Sequence, residues 1–179
     1  LPRIEKKTGN THQDFEVITN ANLSFKEAAI RRDFTINAIG YDFSKKEFLD
    51  PFNGINDLRN KTIKHIDDDT FIEDSLRVYR AVRFASRFDF KIEEKTKVLC
   101  KQIVLNDELK YLPKERIYEE LKKLFLKSSK PSIGFELIRE LGILKYFPEL
   151  EVLINCIQEA KYHPEGDVWI HNMMCLDEM

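Results

Sequence analysis

Glycine and proline are sparse, six of each in 179 residues, which excludes collagen-like, linker-like and turn-dense all-β architectures. Cysteine is sparser still. Cys100, Cys156 and Cys175 are odd in number, far apart and without CxxC spacing, so the sequence predicts plain buried thiols in a reduced, cytoplasmic chain. The four histidines show neither HExxH nor finger spacing. No apolar run approaches the ~18–20 residues that a membrane span needs, and no signal-peptide pattern opens the chain. An excess of either charge is also missing: 29 basic against 31 acidic residues leave a net −2, and the total confers no bulk grip on nucleic acid. What the chain does have is material for a core, 42% hydrophobic with 34% charged residues. That balance suits one domain or one and a fraction and is too apolar for a disordered tail. Leu1 opens the chain in a run with strand character, and a piece of a longer protein is the expectation.

Two regimes follow one another. Up to about residue 66, short β-favouring runs alternate with turn residues. Ile39–Phe43 and Glu47–Asp50 flank Ser44-Lys45-Lys46 as a hairpin, Thr62–Ile66 is a further short strand, and Asp50-Pro51-Phe52-Asn53-Gly54 is turn chemistry. From Asp69 the periodicity is helical, with runs near 70–88, 93–106, 113–127, 131–141 and 149–161. Pro113, Pro131 and Pro148 each suit a first helical turn, and Gly142 sits where a helix end wants it. The pattern is α+β: a small β-containing piece feeding a helical body.

The most informative stretch runs from Glu73 to Phe88. Four arginines and no acid lie between Leu76 and Phe88. At roughly 100° per residue, Val78, Ala81, Val82, Ala85 and Phe88 share a face of about 120°, and Arg77, Arg80, Arg83 and Arg87 fall opposite. An ordinary solvated face mixes Lys with Glu at i,i+4, and this one does not. Like charges so close need an anion or neighbouring carboxylates, and arginine favours planar, bidentate recognition of phosphate. Asp74 and Arg77, three apart, set an acceptor beside a donor fork. That pair matches the base edge of cytosine or adenine, and it equally matches a helix-end ion pair worth ~0.3–0.5 kcal/mol. Upstream, Arg31-Arg32-Asp33-Phe34-Thr35-Ile36-Asn37 supplies short polar residues suited to a turn or cap beside two arginines, fit either for ribose and phosphate or for a surface loop.

Together these stretches resemble one family, the class II tRNA nucleotidyltransferases and bacterial poly(A) polymerases. Arg31–Ala38 resembles its motif B, Asp50–Leu58 its motif C, Glu73–Arg77 with Arg80 and Arg83 its motif D, and Leu112–Leu121 its motif E, in matching order and spacing. Ser75 stands where the family usually has proline. The resemblance implies template-free addition of C and A to tRNA 3′ ends, with CTP, ATP and the tRNA 3′ end as partners. Arg32 and Asp33, with Asn37, would hold ribose and triphosphate, Asp74 and Arg77 would read the base edge, and Arg80 and Arg83 would complete the nucleotide pocket. It also implies a nucleotidyltransferase head ending near residue 68, a helical neck over 69–130, a body over 131–162 and the start of an HD-like domain from 163.

The family's motif A, a glycine-rich turn with paired carboxylates for two magnesium ions, has no counterpart in residues 1–30. Glu5, Asp14 and Glu16 lack the spacing. Asp67-Asp68-Asp69 precedes a helix, where acids cap and favour the dipole, and is taken as helix entry. The Mg²⁺ ligands are therefore expected outside this chain, which would carry the nucleotide-selecting half of the site alone and would be inactive by itself. His163-Pro164-Glu165-Gly166-Asp167-Val168-Trp169-Ile170-His171 resembles the opening of an HD phosphohydrolase domain, with His171 as its first metal ligand. Three rivals remain: poly(A) synthesis, a non-catalytic RNA-binding module, and an HD phosphohydrolase on a scaffold.

Overall fold

Ser24 starts the first well-packed element by closing a capping box: its hydroxyl accepts from the Glu27 N–H while Glu27 takes the Ser24 N–H at 2.8 Å. The computed structural model describes residues 3–8, 11–16 and 23–179, with side chains from Leu23 onward, so Leu1 and any strand expected there lie outside the described residues. Strands β1 (Arg3–Thr8) and β2 (Thr11–Glu16) pair antiparallel with Arg3 opposite Glu16. Helix α1 (Phe25–Ala29) leads through a bend into a 3-10 turn, Thr35–Asn37.

The predicted hairpin forms, as β3 (Gly40–Asp42) and β4 (Glu47–Leu49). Asp42 Oδ1 accepts the Ser44 and Lys45 N–H groups, and Lys46 takes a left-handed φ of 56° to reverse the chain. The turn after it is built by Asp50, whose carboxylate accepts from the N–H of Gly54 at 2.6 Å and of Ile55 at 2.9 Å. Helix α2 (Gly54–Arg59) then lies directly on the 3-10 turn. A Cβ on Gly54 would sit 2.2 Å from the Thr35 carbonyl oxygen, so only glycine permits this approach. Thr35 also donates to buried Asp57 at 2.6 Å, which locks the two segments together.

The strand predicted over 62–66 is shorter than that. Only Thr62–Ile63 (β5) pairs in a ladder, in parallel with β6 (Lys91–Ile92), while His65 makes a single bridge to Phe34. A two-residue strand such as β6 carries too little alternation to be seen in sequence. The helical run predicted over 70–88 is broken: α3 (Asp68–Ile72) stops and α4 (Arg77–Phe88) restarts after Glu73–Leu76. Asp67 caps α3 by accepting from the Thr70 N–H at 2.9 Å, so the acidic triplet is a helix entry as expected. Helices α5 (Glu94–Leu105), α6 (Lys114–Lys127) and α7 (Pro131–Glu140) follow, and Gly142 ends α7 at φ 76°.

The helix predicted over 149–161 does not form beyond α8 (Pro148–Glu151). Leu150, Leu153 and Ile154 pack on the core, but Asn155 adopts a left-handed φ of 60° and Val152 and Ile157 are exposed, so the helix does not continue. Helix α9 (Val168–Asp177) is capped by Asp167 and anchored by Trp169, which is 1% exposed and donates to Glu136 at 2.6 Å.

The core gathers around α4. Val78, Ala81, Val82 and Ala85 are buried as the periodicity predicts, against α6, α7 and the β5–β6 pair. Phe88 departs from the prediction: it is 39% exposed at the helix end and stacks on Phe84. Of the cysteines predicted to be buried, only Cys100 is, and burial pushes its thiol up to about 12. Cys156 and Cys175 are exposed. The architecture is thus a small β-containing head with short hairpins, followed by a helical body.

Candidate nucleotide site

Arg31-Arg32-Asp33 turns out of α1 because the Arg32 N–H donates to the Ala29 carbonyl at 3.0 Å and the Thr35 N–H to the Lys64 carbonyl at 2.9 Å. Asp33 is left 6% exposed with every lobe of its carboxylate engaged. Oδ1 accepts from the Phe34 N–H at 3.0 Å and from Asn37 Nδ2 at 2.8 Å. Oδ2 accepts from Arg80 Nε at 2.6 Å and lies 2.5 Å from Nη2 in the same ion pair. The residue aims Arg80, whose side chain keeps a third of its surface exposed.

Asp74 sits just before α4. Its backbone carbonyl accepts the Arg77 N–H at 2.9 Å, Oδ1 accepts the Leu76 N–H at 3.2 Å, and Oδ2 pairs with Arg116 Nη2 at 2.9 Å. Arg77 donates from Nη1 to the Thr70 carbonyl and from Nη2 to the Arg31 carbonyl at 3.0 Å. Asp74 and Arg77 thus find separate partners, and neither is spent on a mutual helix-end pair. A carboxylate has about four acceptor sites and a guanidinium five donors, so both retain capacity for a ligand while held in place.

These residues meet in one cavity of about 550 Å³. Arg32, Asp33, Asn37, Asp74, Arg77 and Arg80, six of the seven positions named from sequence, line it. Arg31, Arg116 and the face of Phe84 complete the walls. Five guanidinium groups against two carboxylates give its lining an excess of positive charge. Arg83 is the correction. It is 6% exposed, lies outside this cavity, and donates from Nε to Glu120 of α6, with its guanidinium 3.9 Å above the Phe84 ring. The carboxylate that balances the arginine stripe at this point comes from another helix. Sequence reasoning gave no role to Arg116 and Glu120, although both lie in the Leu112–Leu121 segment. Nothing in one helix's periodicity says which residues of another it will face.

His171 is placed beside two residues that had no assigned role. His163, Glu165 and His171 bring one ligand atom each within 4.8 Å, the only such group among the described residues. Glu165 Oε1 lies 2.5 Å from His171 Nδ1 and 3.3 Å from His163 Nδ1. The backbone N–H of Glu165, and then His171, hold its carboxyl below the ordinary carboxylate range.

The arginine-walled cavity is formed where the hairpin-containing part of the chain meets the helical part. The chain belongs to the class II tRNA nucleotidyltransferase and bacterial poly(A) polymerase family. Residues 2–64 match the family model "Poly A polymerase head domain" and residues 89–154 match "Probable RNA and SrmB- binding site of polymerase A". Over 99% of its length the chain is 42% identical to the Multifunctional CCA protein of Pseudoalteromonas atlantica and 41% identical to that of Mannheimia succiniciproducens. It covers 44% and 43% of those proteins, so it spans less than half the length of the curated relatives it matches. Among solved structures, a tRNA-processing enzyme in apo form 2 superposes with a TM-score of 0.73 at 30% identity, over 98% of this chain and 47% of that one. A tRNA-processing enzyme with CTP gives 0.69 at 34% identity, over 87% and 42%. The Thermotoga maritima CCA-adding enzyme complexed with tRNA gives 0.63 at 34% identity, over 68% and 30%.

The family is generally metal-dependent, and the arginine cavity does not fit a metal. Asp33 is saturated by Arg80, Asn37 and a backbone N–H, Asp74 is paired with Arg116, and cationic groups surround both. No described helix is long and apolar enough to cross a membrane.

Proposed function

We propose that the protein containing this chain transfers CMP and AMP from CTP and ATP to tRNA 3′ ends in the cytoplasm, and that these residues supply nucleotide selection. The carrying observation is that Asp74 and Arg77 line one cavity while each is clamped by a partner other than its neighbour. Asp74 can only accept, so it suits the exocyclic amine of cytosine or adenine. Arg77 can only donate, so it suits the adjacent ring nitrogen, and both meet the wrong group in uracil or guanine. Arg80, steered by Asp33, and Arg32 are assigned to the phosphates and ribose, with Asn37 steadying Asp33. Arg83 is assigned to structure. Magnesium, when bound by carboxylates elsewhere in the protein, would stabilise charge on the transferring phosphate. The division into a head to residue 68, a neck to 130, a body to 162 and an HD-like start from 163, with His171 as a metal ligand, belongs to the same proposal. CCA addition is preferred over poly(A) synthesis because the relatives named above are CCA proteins.

The test is Asp74→Ala in the intact protein. One bidentate base contact is worth ~1–3 kcal/mol, roughly 5- to 150-fold. Relative UTP incorporation is expected to rise by a factor in that range while overall rate falls. An equal slowing with CTP and UTP would place base reading elsewhere.

A further inference from the structure

A second cavity, of about 650 Å³, opens where the turn before α9 meets that helix, and it shares no residue with the first. His163, Glu165 and His171 all line it. Local chain geometry brings the three together. The Gly166 N–H donates to the His163 carbonyl at 2.9 Å, closing a turn in which Gly166 takes a left-handed φ of 81°. The Gln158 N–H donates to the Gly166 carbonyl at 2.9 Å and pins that turn to the preceding segment. Asp167 then caps α9, and the His171 N–H donates to the Asp167 carbonyl at 3.0 Å. His163 and Glu165 thus come from a tied turn, and His171 from the first turn of a capped helix.

Glu165 aims one oxygen at two imidazoles. Oε1 is 2.5 Å from His171 Nδ1 and 3.3 Å from His163 Nδ1, and the two rings stand edge to face with centroids 5.3 Å apart. Ligand atoms about 2.0–2.2 Å from one ion stand roughly 3–3.5 Å apart, so only a small parting of Glu165 from His171 is needed to receive one. The Glu165 side chain is 13% exposed and those of His163 and His171 are 36% and 44% exposed, which leaves the cavity side open to water. A plain ion pair accounts for less. One imidazolium satisfies it, and a second would be repelled by the first.

The far edge of His171 fits a metal too. With Nδ1 on a metal the ring proton sits on Nε2, and Cys175 Sγ lies 3.5 Å from that nitrogen. A metal-binding histidine commonly gives its other N–H to such a partner. The donor set also chooses the ion. Two imidazoles and one carboxylate suit Zn²⁺, Ni²⁺ or Co²⁺, whereas Mg²⁺ and Ca²⁺ favour oxygen ligands.

We infer that His163, Glu165 and His171 together bind one divalent transition-metal ion of the Zn²⁺ class, with water from the cavity completing its shell. The inference rests on the reading of His171 as a metal ligand and deepens it by naming His163 and Glu165 as its partners within this chain.

The experiment titrates the untagged chain, held in excess Mg²⁺, with Co²⁺ and reads the visible absorption of the bound ion. One equivalent is expected to bind despite the Mg²⁺ and to be displaced by Zn²⁺, and Zn²⁺ should raise the thermal midpoint. His163→Gln, Glu165→Gln and His171→Gln should each weaken Co²⁺ by more than the roughly 10- to 100-fold that loss of an outer partner costs. Their metal-free thermal midpoints should stay near that of the unaltered chain. Cys175→Ser should weaken Co²⁺ by no more than that range, and no thiolate-to-cobalt band should appear. Such a band would overturn the trio by putting Cys175 on the ion, and so would failure of the unaltered chain to bind Co²⁺. Binding lost in His171→Gln but intact in His163→Gln and Glu165→Gln would overturn the trio while leaving His171 a ligand with other partners. Full affinity in His171→Gln would overturn both.

Discussion

Arg80 and Arg83 are one turn apart on α4, share a chemistry and flank the same Phe84 ring, yet they end in opposite environments. Arg80 is steered by Asp33 and keeps a third of its side chain open to the first cavity. Arg83 is sealed under α6 against Glu120. Each arginine has a carboxylate from another element, and the difference lies in cover: α6 closes over Arg83, whereas Arg80 stays open to the cavity. One helical stripe therefore holds both a guanidinium open to the cavity, at Arg80, and a buried one, at Arg83.

The largest effect tests the buried arginine. Removing one partner of a buried ion pair costs about 3–5 kcal/mol. Glu120→Ala, which strands a buried guanidinium, should lower stability by that order in urea unfolding. Arg83→Ala should cost less, because Lys123 Nζ remains 3.4 Å from Glu120. Arg83→Met with Glu120→Leu should recover most of the loss. If that double variant binds CTP as poorly as an Arg80 variant, the contrast between the two arginines collapses.

At the open arginine, Arg80→Gln removes a charge-assisted contact worth about 1.5–3 kcal/mol, roughly 10- to 150-fold in affinity. It should weaken CTP, ATP and UTP by the same factor, since a phosphate contact is blind to the base. Unequal factors measured by calorimetry would move Arg80 into base reading beside Asp74.

The smallest expected effect lies away from both arginines, at the entry to α3. The Thr70 N–H, and then its hydroxyl, hold the Asp67 carboxyl below its ordinary value of 3.8. A depressed carboxylate stabilises the fold above the unfolded value, and that contribution is lost as pH falls through the folded value. Urea midpoints taken from pH 5 down to pH 2 should therefore decline less steeply in Asp67→Ala than in the unaltered chain. Parallel declines would mean the cap carries none of the acid sensitivity.

Much of this was legible in the residues. The hairpin at 40–49, the turn at Asp50, the cap at Asp67 and the apolar face of α4 rest on local spacing and turn chemistry, and the structure has them. What the residues hid is pairing across distance: β6, Arg116 on Asp74, and Glu120 on Arg83. The break in helix at Glu73–Leu76 was hidden for a different reason, since apolar periodicity runs through it without interruption. The helix expected beyond Glu151 failed although Leu153 and Ile154 do pack on the core, because the backbone turns left-handed at Asn155.

The parallel pairing of Thr62–Ile63 with Lys91–Ile92 bears on how the protein can be divided. The two strands stand on either side of residue 68, where the head was expected to end, and α3, Asp74 and α4 are looped out between them. Severing the chain at that point would leave β5 as an open edge on one piece and β6 as an unpaired tail on the other. The border expected at residue 68 is thus crossed by a strand ladder, and the segments on its two sides are tied to each other by backbone hydrogen bonds.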